Sequence, residues 1–396
     1  MKLTYSKERK KTLIHLPGSK SITNRLLVLK TIHYPNLTIL NSSTSTDSVH
    51  LQRAIKSLES LNVNAKIDAA DGGTTFRFLS ILLAHKGFVG NLYGSERLLA
   101  RPNKPLIDSL SAIGYPISLN SLGEVVFHKS PNKVNLNHWQ VDISISSQFA
   151  SALSMLAPSM QNDITIELVG DPVSLGYLDM TIELMRVLGM EIYRKDNLIY
   201  SKPFSPSQDL QTITVESDWS SISYFIAISV LAGLTIELQP VSNYSSQPDI
   251  AILDFANQLG VDTSFGGDVL TLTPKSRFSM PKSIARDYTN CPDIALTEIV
   301  VCHALGIDLT LQGVEHLKHK ESDRLKTISQ ELSSFDKHNL PLFNTHNDHR
   351  IAMSLAPLAV LKPISFNDIE VVSKSFPDFW KEIDKLGFHI TPEHES

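Results

Sequence analysis

The stretch "LPGSKSITNRLLVLKTI", residues 16–32, sets a proline–glycine break and a cationic loop directly before a long apolar helical run. It looks like a phosphate-binding loop, but a Walker A motif needs a glycine, four residues and then Gly-Lys-Ser/Thr. Here Ser19 separates Gly18 from Lys20, and no glycine lies upstream at the required distance. The spacing therefore argues against a nucleotide loop. Backbone N–H groups at the start of this helix, together with Lys20 and Arg25, still favour binding of an anion.

The composition bounds the class of protein. A chain of 396 residues exceeds one ordinary hydrophobic core, which predicts two domains. Its 42% hydrophobic and 19% charged residues are typical of a soluble globular protein, and the net charge of −5 disfavours nucleic acid as a partner. We expect Cys291 and Cys302 to be buried, reduced thiols, because they form neither a disulfide framework nor a metal-ligand spacing. The N-terminus lacks an apolar leader and no run is long enough to span a bilayer, which predicts a cytoplasmic protein without a membrane partner.

One unit recurs six times along the chain: a short β-like run, a polar loop, an amphipathic helix and a stop. The copies occupy residues 37–62, 90–114, 164–189, 234–260, 309–335 and 364–387. Most of them end in an apolar residue followed by glycine, such as Ile113-Gly114, which is typical of a helix C-terminus. This self-similarity predicts an architecture of repeated α/β units.

Six other helices are apolar on nearly all sides, and we expect them to be buried. They cover residues 21–32, 74–87, 146–158, 220–233, 292–306 and 348–360. Each opens on polar or charged residues, and ordinary N-capping explains any single case. If the helices run parallel within each domain, however, their positive dipole ends converge on one surface. A cleft between two such surfaces would attract a strongly anionic ligand.

The repeats also predict where the domains begin and end. Three units per domain place the break near "TITVESDW", residues 212–219. Because the first strand, "KTLIHLP", precedes the first complete unit, we expect it to pair with the C-terminal half. The predicted domains are therefore residues 18–215 and a discontinuous domain made of residues 1–17 and 216–396.

Eight motifs stand in order along the chain: "LPGSKSITNR", "GGTTFRFL", "ERLLARP", "SISSQFASAL", "PDIALT", "KHKESDRL", "NDHRIAMS" and "KSFPDFW". With them the chain closely resembles the 5-enolpyruvylshikimate-3-phosphate synthase family of the shikimate pathway. These transferases join the 5-hydroxyl of shikimate 3-phosphate to C2 of phosphoenolpyruvate and release phosphate. The resemblance implies a two-domain α/β fold, the inside-out α/β barrel of enolpyruvyl transferases, in which each domain holds three βαβαββ units with parallel buried helices. It also implies an active site in the interdomain cleft, a monomer, and neither cofactor nor metal.

In the first domain the resemblance implies residues that bind the two phosphorylated substrates. Those similar to shikimate-3-phosphate ligands are Lys20, Ser21, Arg25, Ser146, Ser147, Gln148, Ser174 and Tyr177. Those similar to phosphoenolpyruvate ligands are Lys20, Gly73, Thr74, Arg101 and Gln148. Arg25 would pair the ring carboxylate bidentately, whereas Arg77 would support the fold and not touch substrate. Without the resemblance, Ser146 and Ser147 would be interpreted as a helix cap.

In the second domain the resemblance implies the acid–base groups. Asp293 and Lys320 would bind shikimate 3-phosphate, and Asp293 would accept the proton of the 5-hydroxyl. Glu321 would serve the methylene carbon of phosphoenolpyruvate as acid and base. The implied catalytic set is Lys20, Asp293 and Glu321. The implied phosphoenolpyruvate ligands of this domain are Arg324, His349, Arg350 and Lys374.

Two positions depart from the family pattern. Asp71-Gly72 stand where the family commonly has Asn-Ala or Asn-Ser, and a carboxylate beside a phosphate pocket opposes anion binding unless it points away. His316 stands where better-known members carry asparagine, so no contact is assigned to it. The remaining histidines, among them His15, His33 and His303, are interpreted as surface or satisfied core residues.

Three other functions compete with this interpretation. Enolpyruvyl transferases acting on UDP-N-acetylglucosamine resemble the chain in fold, but they usually carry Lys-Asn in place of Lys20-Ser21 and a cysteine on a mobile loop. A non-catalytic phosphometabolite-binding homologue would not require both Asp293 and Glu321. An RNA-terminal cyclase would need a basic surface and an adenylated histidine, and the acidic net charge disfavours it.

Overall fold

The helices follow the capping residues and apolar runs of the sequence. The computed structural model describes residues 1–7, 12–58, 65–129, 136–206 and 212–392. Its α-helices are α1 (Lys20–His33), α2 (Thr46–Ser57), α3 (Gly73–His85), α4 (Glu96–Leu99), α5 (Lys104–Ile113), α6 (Gln148–Leu156), α7 (Leu175–Val187), α8 (Trp219–Ala232), α9 (Ile252–Gln258), α10 (Ala295–Leu305), α11 (Arg324–Lys337), α12 (His349–Leu355) and α13 (Phe379–Asp384). Short 3-10 helices accompany them, including Pro292–Ile294 and Glu315–His319.

The strands are short, and in most of them more buried side chains alternate with more exposed ones. They are β1 (Lys2–Tyr5), β2 (Leu13–His15), β3 (Thr38–Leu40), β4 (Ala65–Asp68), β5 (Gly90–Tyr93), β6 (Ile117–Leu119), β7 (Val125–Phe127), β8 (His138–Asp142), β9 (Ile164–Val169), β10 (Ile192–Lys195), β11 (Leu198–Ser201), β12 (Thr212–Thr214), β13 (Ile236–Gln239), β14 (Val261–Gly266), β15 (Val269–Pro274), β16 (Ser283–Asp287), β17 (Asp308–Gln312), β18 (Leu342–Phe343), β19 (Ile364–Phe366) and β20 (Phe388–Thr391). In β9, for example, Ile164, Ile166 and Leu168 are buried and the residues between them are partly exposed.

The chain divides into two compact units, and we call residues 20–215 the central unit and residues 1–19 with 216–396 the terminal unit. Within the described residues, each unit holds two four-stranded sheets and one two-stranded sheet. In the central unit the strand orders are β4-β5-β7-β6, β10-β11-β9-β8 and β12-β3. In the terminal unit they are β14-β15-β13-β2, β18-β19-β1-β20 and β16-β17.

Each of these sheets contains a parallel strand pair, as expected where a helix connects two strands of one sheet. In the terminal unit β2 pairs in parallel with β13, matching Leu13 to Glu237 and His15 to Gln239. The N-terminal strand therefore pairs with the C-terminal half, which confirms the expectation drawn from "KTLIHLP".

Each unit has a hydrophobic core of its own, built around three helices. In the central unit α1, α3 and α6 pack against one another, and in the terminal unit α10 packs against both α8 and α12. Side chains on nearly all sides of these helices are buried, which confirms the predicted burial. Residues 157–158, 292–294 and 356–360, expected as α-helix, lie in 3-10 turns instead, and each of these turns contains a proline near its start.

The six repeated units each supply a strand followed by a more exposed helix. The pairs are β3 with α2, β5 with α5, β9 with α7, β13 with α9, β17 with α11, and β19 with α13. Residues 59–62, the end of the first copy, lie outside the described residues. Gly114, directly after α5, adopts a positive φ of 112°, so it ends that helix as the sequence predicts.

None of the helices in the described part of the chain has both the length and the apolar character needed to cross a membrane. Cys291 and Cys302 are buried and free, as expected, and burial raises the pKa of each thiol to about 12.

Candidate active site

The predicted site residues form two clusters, one in each unit. The central cluster comprises Lys20, Ser21, Arg25, Gly73, Thr74, Arg101, Ser146, Ser147, Gln148, Ser174 and Tyr177. The terminal cluster comprises Asp293, Lys320, Glu321, Arg324, His349, Arg350 and Lys374. Many of these residues stand at or just before the start of a helix. The backbone N–H groups of a first helical turn have no partner within the helix, so such starts favour negatively charged ligands.

Lys20, the first residue of α1, is held by a carboxylate that the sequence did not single out. Its Nζ donates to Oδ2 of Asp47, in the first turn of α2, over 3.2 Å. The backbone carbonyl of Asp47 in turn accepts a hydrogen bond of 3.3 Å from Oγ1 of Thr75 in α3. Asp47 therefore ties the starts of three helices together and fixes the position of the Lys20 ammonium group.

Gly73 allows an arginine to lie against the start of α3. A Cβ added to Gly73 would lie 2.4 Å from Nη1 and 2.9 Å from Cζ of Arg101. The helix begins after Gly72, which has no side chain to cap its first N–H groups. The Nε of Arg101 is buried and has no hydrogen-bond partner among the described residues. A helix start, an adjacent cation and an unsatisfied donor together favour a bound anion, and the half-buried Thr74 lies beside them.

Arg25 is a buried cation whose hydrogen bonds all go to neutral acceptors. Nε donates to Thr181 Oγ1 at 2.6 Å, Nη1 to the Ser21 carbonyl at 2.9 Å, and Nη2 to the Tyr177 carbonyl at 3.2 Å and Ser151 Oγ at 3.5 Å. Burial lowers the pKa of Arg25 to about 10. Because a guanidinium has five N–H donors, the bidentate pairing predicted from the sequence requires the release of at least one of these contacts.

The start of α6 is a polar turn that contacts the start of α7. Ser146 Oγ accepts a hydrogen bond of 3.3 Å from the backbone N–H of Gln148. Ser147 Oγ donates to the carbonyl of Ser174 over 2.7 Å. Ser174 adopts a left-handed φ of 56° immediately before α7, and Tyr177 lies buried in the first turn of that helix. The structure thus brings together the starts of α6 and α7, both of which carry residues that the resemblance assigns to shikimate 3-phosphate.

Asp71, the departure from the family pattern, has its charge bound within its own neighbourhood. Its Oδ1 accepts a hydrogen bond of 2.5 Å from Ser95 Oγ and lies 3.6 Å from Nη2 of Arg97. Both partners belong to the turn that opens α4, with Ser95 as its N-cap. The negative charge of Asp71 is therefore offset by Arg97, which reduces its repulsion of an anion near Gly73.

In the terminal cluster Arg324, the first residue of α11, contacts three carboxylates. Nε donates to Asp348 Oδ2 at 2.9 Å, Nη1 to Asp293 Oδ1 at 3.1 Å, and Nη2 to Glu321 Oε2 at 2.7 Å. Burial of the side chain disfavours the charged form, but these three carboxylates outweigh it and raise the pKa of Arg324 above its ordinary value. One guanidinium thus orients both predicted acid–base groups.

Arg350, in the first turn of α12, binds the second oxygen of Asp293. Its Nη2 donates to Asp293 Oδ2 at 2.8 Å, and its Nη1 donates to the backbone carbonyl of the same residue at 3.1 Å. Burial would raise the pKa of Asp293, but Arg350, Lys320 and Arg324 together hold it far below its ordinary value. Nζ of Lys320 lies 4.0 Å from Oδ1. Asp293 is therefore a carboxylate at neutral pH.

The remaining residues of the terminal cluster lie on neighbouring turns. Nζ of Lys374 donates to the carbonyl and to Oδ1 of Asn347, at 3.0 and 2.8 Å, which joins it to the "NDHR" motif. His349 is the buried first residue of α12. His316, to which the sequence assigned no contact, is buried, and burial together with the charge of Lys320 lowers its pKa to about 4. Its imidazole is therefore neutral at physiological pH.

Sequence reasoning missed several side chains that orient the clusters. The most important are Asp47, Asp348, Ser220 and Tyr224. Asp348 also caps α12 by accepting a hydrogen bond of 3.0 Å from the backbone N–H of Arg350. An aspartate before an apolar run signals a cap, so the cap could be found from the sequence. Its ion pair with Arg324, 24 residues away in the chain, carries no local signal.

A family model and curated relatives match the chain over most of its length. The family model described as EPSP synthase (3-phosphoshikimate 1-carboxyvinyltransferase) matches residues 58–338 and 341–383. A 3-phosphoshikimate 1-carboxyvinyltransferase from Bacteroides fragilis (strain YCH46) is 31% identical over an alignment that covers 96% of each chain. A protein of the same name from Methanospirillum hungatei JF-1 is 30% identical and spans 93% of this chain and 94% of its own.

Solved structures show a similar fold. An EPSP synthase from Acinetobacter baumannii matches with a TM-score of 0.72 at 16% identity, covering 99% of this chain and 100% of the other. The enolpyruvyl transferase NikO from Streptomyces tendae matches with a TM-score of 0.71 at 14% identity, covering 98% of both chains. The chain therefore has the enolpyruvyl transferase fold, as the sequence predicted. The family match and the curated relatives narrow it further: the chain belongs to the EPSP synthase family.

Proposed function

We propose that this chain transfers the enolpyruvyl group of phosphoenolpyruvate to the 5-hydroxyl of shikimate 3-phosphate and releases phosphate. Family membership supports the reaction class. The main structural support comes from Arg324, which binds both proposed acid–base groups. Its Nη1 donates to Asp293 Oδ1 at 3.1 Å and its Nη2 to Glu321 Oε2 at 2.7 Å. A non-catalytic protein that only binds phosphate compounds would gain nothing from two carboxylates, since each carboxylate would repel the anionic ligand.

The central cluster supplies the groups that bind anionic substrates. Among the described residues, the buried Arg25 has no carboxylate as a hydrogen-bond partner, and the Nε–H of Arg101, which lies against the start of α3, has no acceptor. We assign the phosphate of phosphoenolpyruvate to Gly73, Thr74 and Arg101. Shikimate 3-phosphate is assigned to Ser21, Arg25, Ser146, Ser147, Gln148, Ser174 and Tyr177. Lys20 contacts both substrates in this assignment.

The terminal cluster supplies the proton-transfer groups and the remaining cations. As the 5-hydroxyl oxygen bonds to C2 of phosphoenolpyruvate and the C2–C3 double bond becomes single, Asp293 accepts the hydroxyl proton. Glu321, which enters this step protonated, delivers its proton to the C3 methylene. Elimination reverses the second transfer: Glu321 removes a proton from the C3 methyl group, the C2–C3 double bond forms again and the C2–O bond to phosphate breaks. The leaving phosphate takes up the proton held by Asp293, which restores both carboxyl groups. Lys374 neutralises the leaving phosphate, and Lys320 binds shikimate 3-phosphate. No step requires a metal or a redox change.

The arginines of the terminal cluster couple substrate binding to this proton transfer. Arg324 and Arg350, with His349 beside them, are assigned to the carboxylate of phosphoenolpyruvate. That carboxylate competes with Asp293 and Glu321 for the same guanidinium N–H groups. When the contacts shift to the substrate, Asp293 loses the interactions that hold its pKa low, and it becomes a stronger base. Binding of phosphoenolpyruvate thus prepares the carboxylate that deprotonates the acceptor.

A phosphate-release assay tests the proposal. The purified chain is incubated with phosphoenolpyruvate and either shikimate 3-phosphate or UDP-N-acetylglucosamine, with and without a chelator. We expect phosphate release with shikimate 3-phosphate alone, at a rate that the chelator does not change. Release with UDP-N-acetylglucosamine only would assign the chain to the other acceptor. If neither acceptor supports release while shikimate 3-phosphate binds, the non-catalytic alternative is correct.

A further inference from the structure

The contact between α3 and α6 through Arg77 goes beyond support of the fold. Arg77 lies one turn after Gly73, and its side chain is buried. Its Nη1 donates a hydrogen bond of 2.7 Å to Oε1 of Gln148, the first residue of α6. Its Cζ lies 5.0 Å from the centroid of the Phe149 ring, within the range of a cation–π contact. The guanidinium thus bridges two helix starts of the central cluster.

The chemistry of this contact fixes the orientation of the Gln148 amide. A guanidinium has donors only, whereas a glutamine amide has an oxygen that accepts and a nitrogen that donates. The side facing Arg77 must therefore be Oε1, and the Nε2 group with its two N–H donors is turned away from Arg77. Gln148 is only half-buried, which leaves part of its side chain open to a ligand.

Arg77 is itself held in place from a third segment. Its Nε donates to Oδ1 of Asn103 over 3.2 Å. The Asn103 side chain is buried, and its Nδ2 donates to the carbonyl of Leu98 over 3.4 Å. Because Leu98 and Asn103 flank the segment that carries Arg101, Arg77 connects this segment with the start of α6.

We propose that Arg77 is a positioning residue: it binds the carbonyl of Gln148 and thereby presents the Gln148 Nε2–H donors to an oxygen of shikimate 3-phosphate. The inference rests on the proposed function, because that function places Gln148 against the substrate. The cationic donor behind the carbonyl also polarises the amide and strengthens its outward N–H groups as donors. Arg77 itself does not touch the substrate.

Substitutions at Gln148 test the orientation. In Gln148→Glu one carboxylate oxygen keeps the contact with Arg77, while the other replaces a donor by a charged acceptor. We expect a melting temperature no lower than that of the unaltered chain, but binding of shikimate 3-phosphate at least about tenfold weaker in calorimetry. Gln148→Met, which removes both groups, should melt lower than Gln148→Glu and bind more tightly than it. Unchanged binding by Gln148→Glu, or a melting temperature below that of Gln148→Met, overturns the inference.

A double-substitution cycle tests the role of Arg77. Arg77→Met should weaken shikimate 3-phosphate binding about as much as Gln148→Met, and the double variant should bind no more weakly than either single variant. Arg77→Lys, with one donor in reach, should restore part of the affinity. Additive losses would reduce Arg77 to a structural role. Arg194→Met is the control: it removes an arginine of the same unit that pairs with Asp179 on the surface, and binding should not change.

These measurements separate the inference from the proposed function. Phosphate release by the unaltered chain decides whether the reaction is assigned correctly. The comparison of melting temperatures between Gln148→Glu and Gln148→Met needs no substrate, so it reports the Arg77 contact even where the assay fails. If Arg77→Met does not fold, the two Gln148 variants decide the question alone.

Discussion

The arginines of the two clusters differ in the charge of their hydrogen-bond partners. In the central unit Arg25 donates to hydroxyl and carbonyl oxygens, and within the described part of the chain no carboxylate accepts a hydrogen bond from it. In the terminal unit Arg324 donates to Asp293, Glu321 and Asp348. A buried cation without a counter-charge favours an external anion, whereas a neutralised one orients the carboxylates around it. The central cluster is therefore suited to binding and the terminal cluster to proton transfer.

Lys20 is an instructive exception in the central unit. It pairs with Asp47 over 3.2 Å, and both side chains are about five-sixths buried, at 15% and 16% exposure. The Asp348–Arg324 pair of the terminal unit is buried almost completely, at 0% and 2% exposure. The two ion pairs have similar lengths but differ in their contact with water. A comparison of the units thus separates the effect of burial from the effect of charge.

The largest difference between the clusters should appear in the rate of catalysis. Glu321→Gln keeps an oxygen for Arg324 but removes the proposed proton-transfer group, so we expect kcat to fall about a thousandfold with little change in the KM of either substrate. Steady-state kinetics with phosphate detection measures both constants. Glu315→Gln, an exposed glutamate nearby in the chain, should leave both unchanged. A kcat within a few-fold of the unaltered enzyme would remove Glu321 from the proposed acid–base role.

The next difference concerns stability. Asp348→Asn leaves Arg324 without a fully buried counter-charge and weakens the cap of α12, so we expect it to lower the free energy of unfolding by about 3 kcal/mol. Asp47→Asn, the matched change in the central unit, should cost about 1 kcal/mol because water still reaches that pair. Urea denaturation followed by circular dichroism measures both. Equal losses would show that burial does not set the energetic difference between the pairs.

Acid should destabilise the central unit through a histidine outside the candidate site. Burial lowers the pKa of His33 to about 4, from about 6.5, while its Nε2–H donates to the Met155 carbonyl over 2.8 Å. The folded state thus binds fewer protons than the unfolded state, and stability falls as the pH drops from about 6.5 to about 4. The full effect is about 3 kcal/mol.

The substitution His33→Gln isolates this contribution, since glutamine retains a donor but does not titrate. Its free energy of unfolding should fall less steeply than that of the unaltered chain between pH 6.5 and pH 4. His128→Gln, which alters an exposed histidine bonded to Ser118, should leave the pH dependence as it was. If His33→Gln and the unaltered chain have parallel pH profiles, the loss of stability in acid comes from other groups.

The elements of the fold were predictable because their signals are local. Buried helices such as α3 and α8 are predictable because an apolar run follows polar residues at the helix start. Gly114 predicts the end of α5 because it directly follows the last apolar residue of that helix. The contacts that orient the site join residues far apart in the chain: Lys20 to Asp47 over 27 positions, and Arg77 to Gln148 over 71. Tertiary packing sets such pairs, so no spacing in the sequence shows them.

The Asp71 departure illustrates the same limit. From the sequence its carboxylate stands one residue from the Gly72-Gly73 turn and opposes an anion there. In the structure Ser95 and Arg97 bind it, and both arrive from the following strand–helix connection. The electrostatic effect of Asp71 therefore depends on Ser95 and Arg97, 24 and 26 positions further along the chain and outside the "GGTTFRFL" motif.

The smallest predicted effect tests the packing of Arg101 on Gly73. In Gly73→Ala the new Cβ would meet Nη1 of Arg101 at 2.4 Å, so the arginine must move, and its flexible side chain allows this at little cost in stability. We expect a KM for phosphoenolpyruvate about tenfold higher, an unchanged KM for shikimate 3-phosphate, and a melting temperature within a few degrees of the original. Gly266→Ala in β14, where a Cβ meets nothing within 4 Å, is the matched control in the terminal unit. A selective loss of phosphoenolpyruvate affinity would place the arginine–glycine contact in the binding of that substrate, whereas an equal loss for both substrates would place it in the scaffold of the central unit.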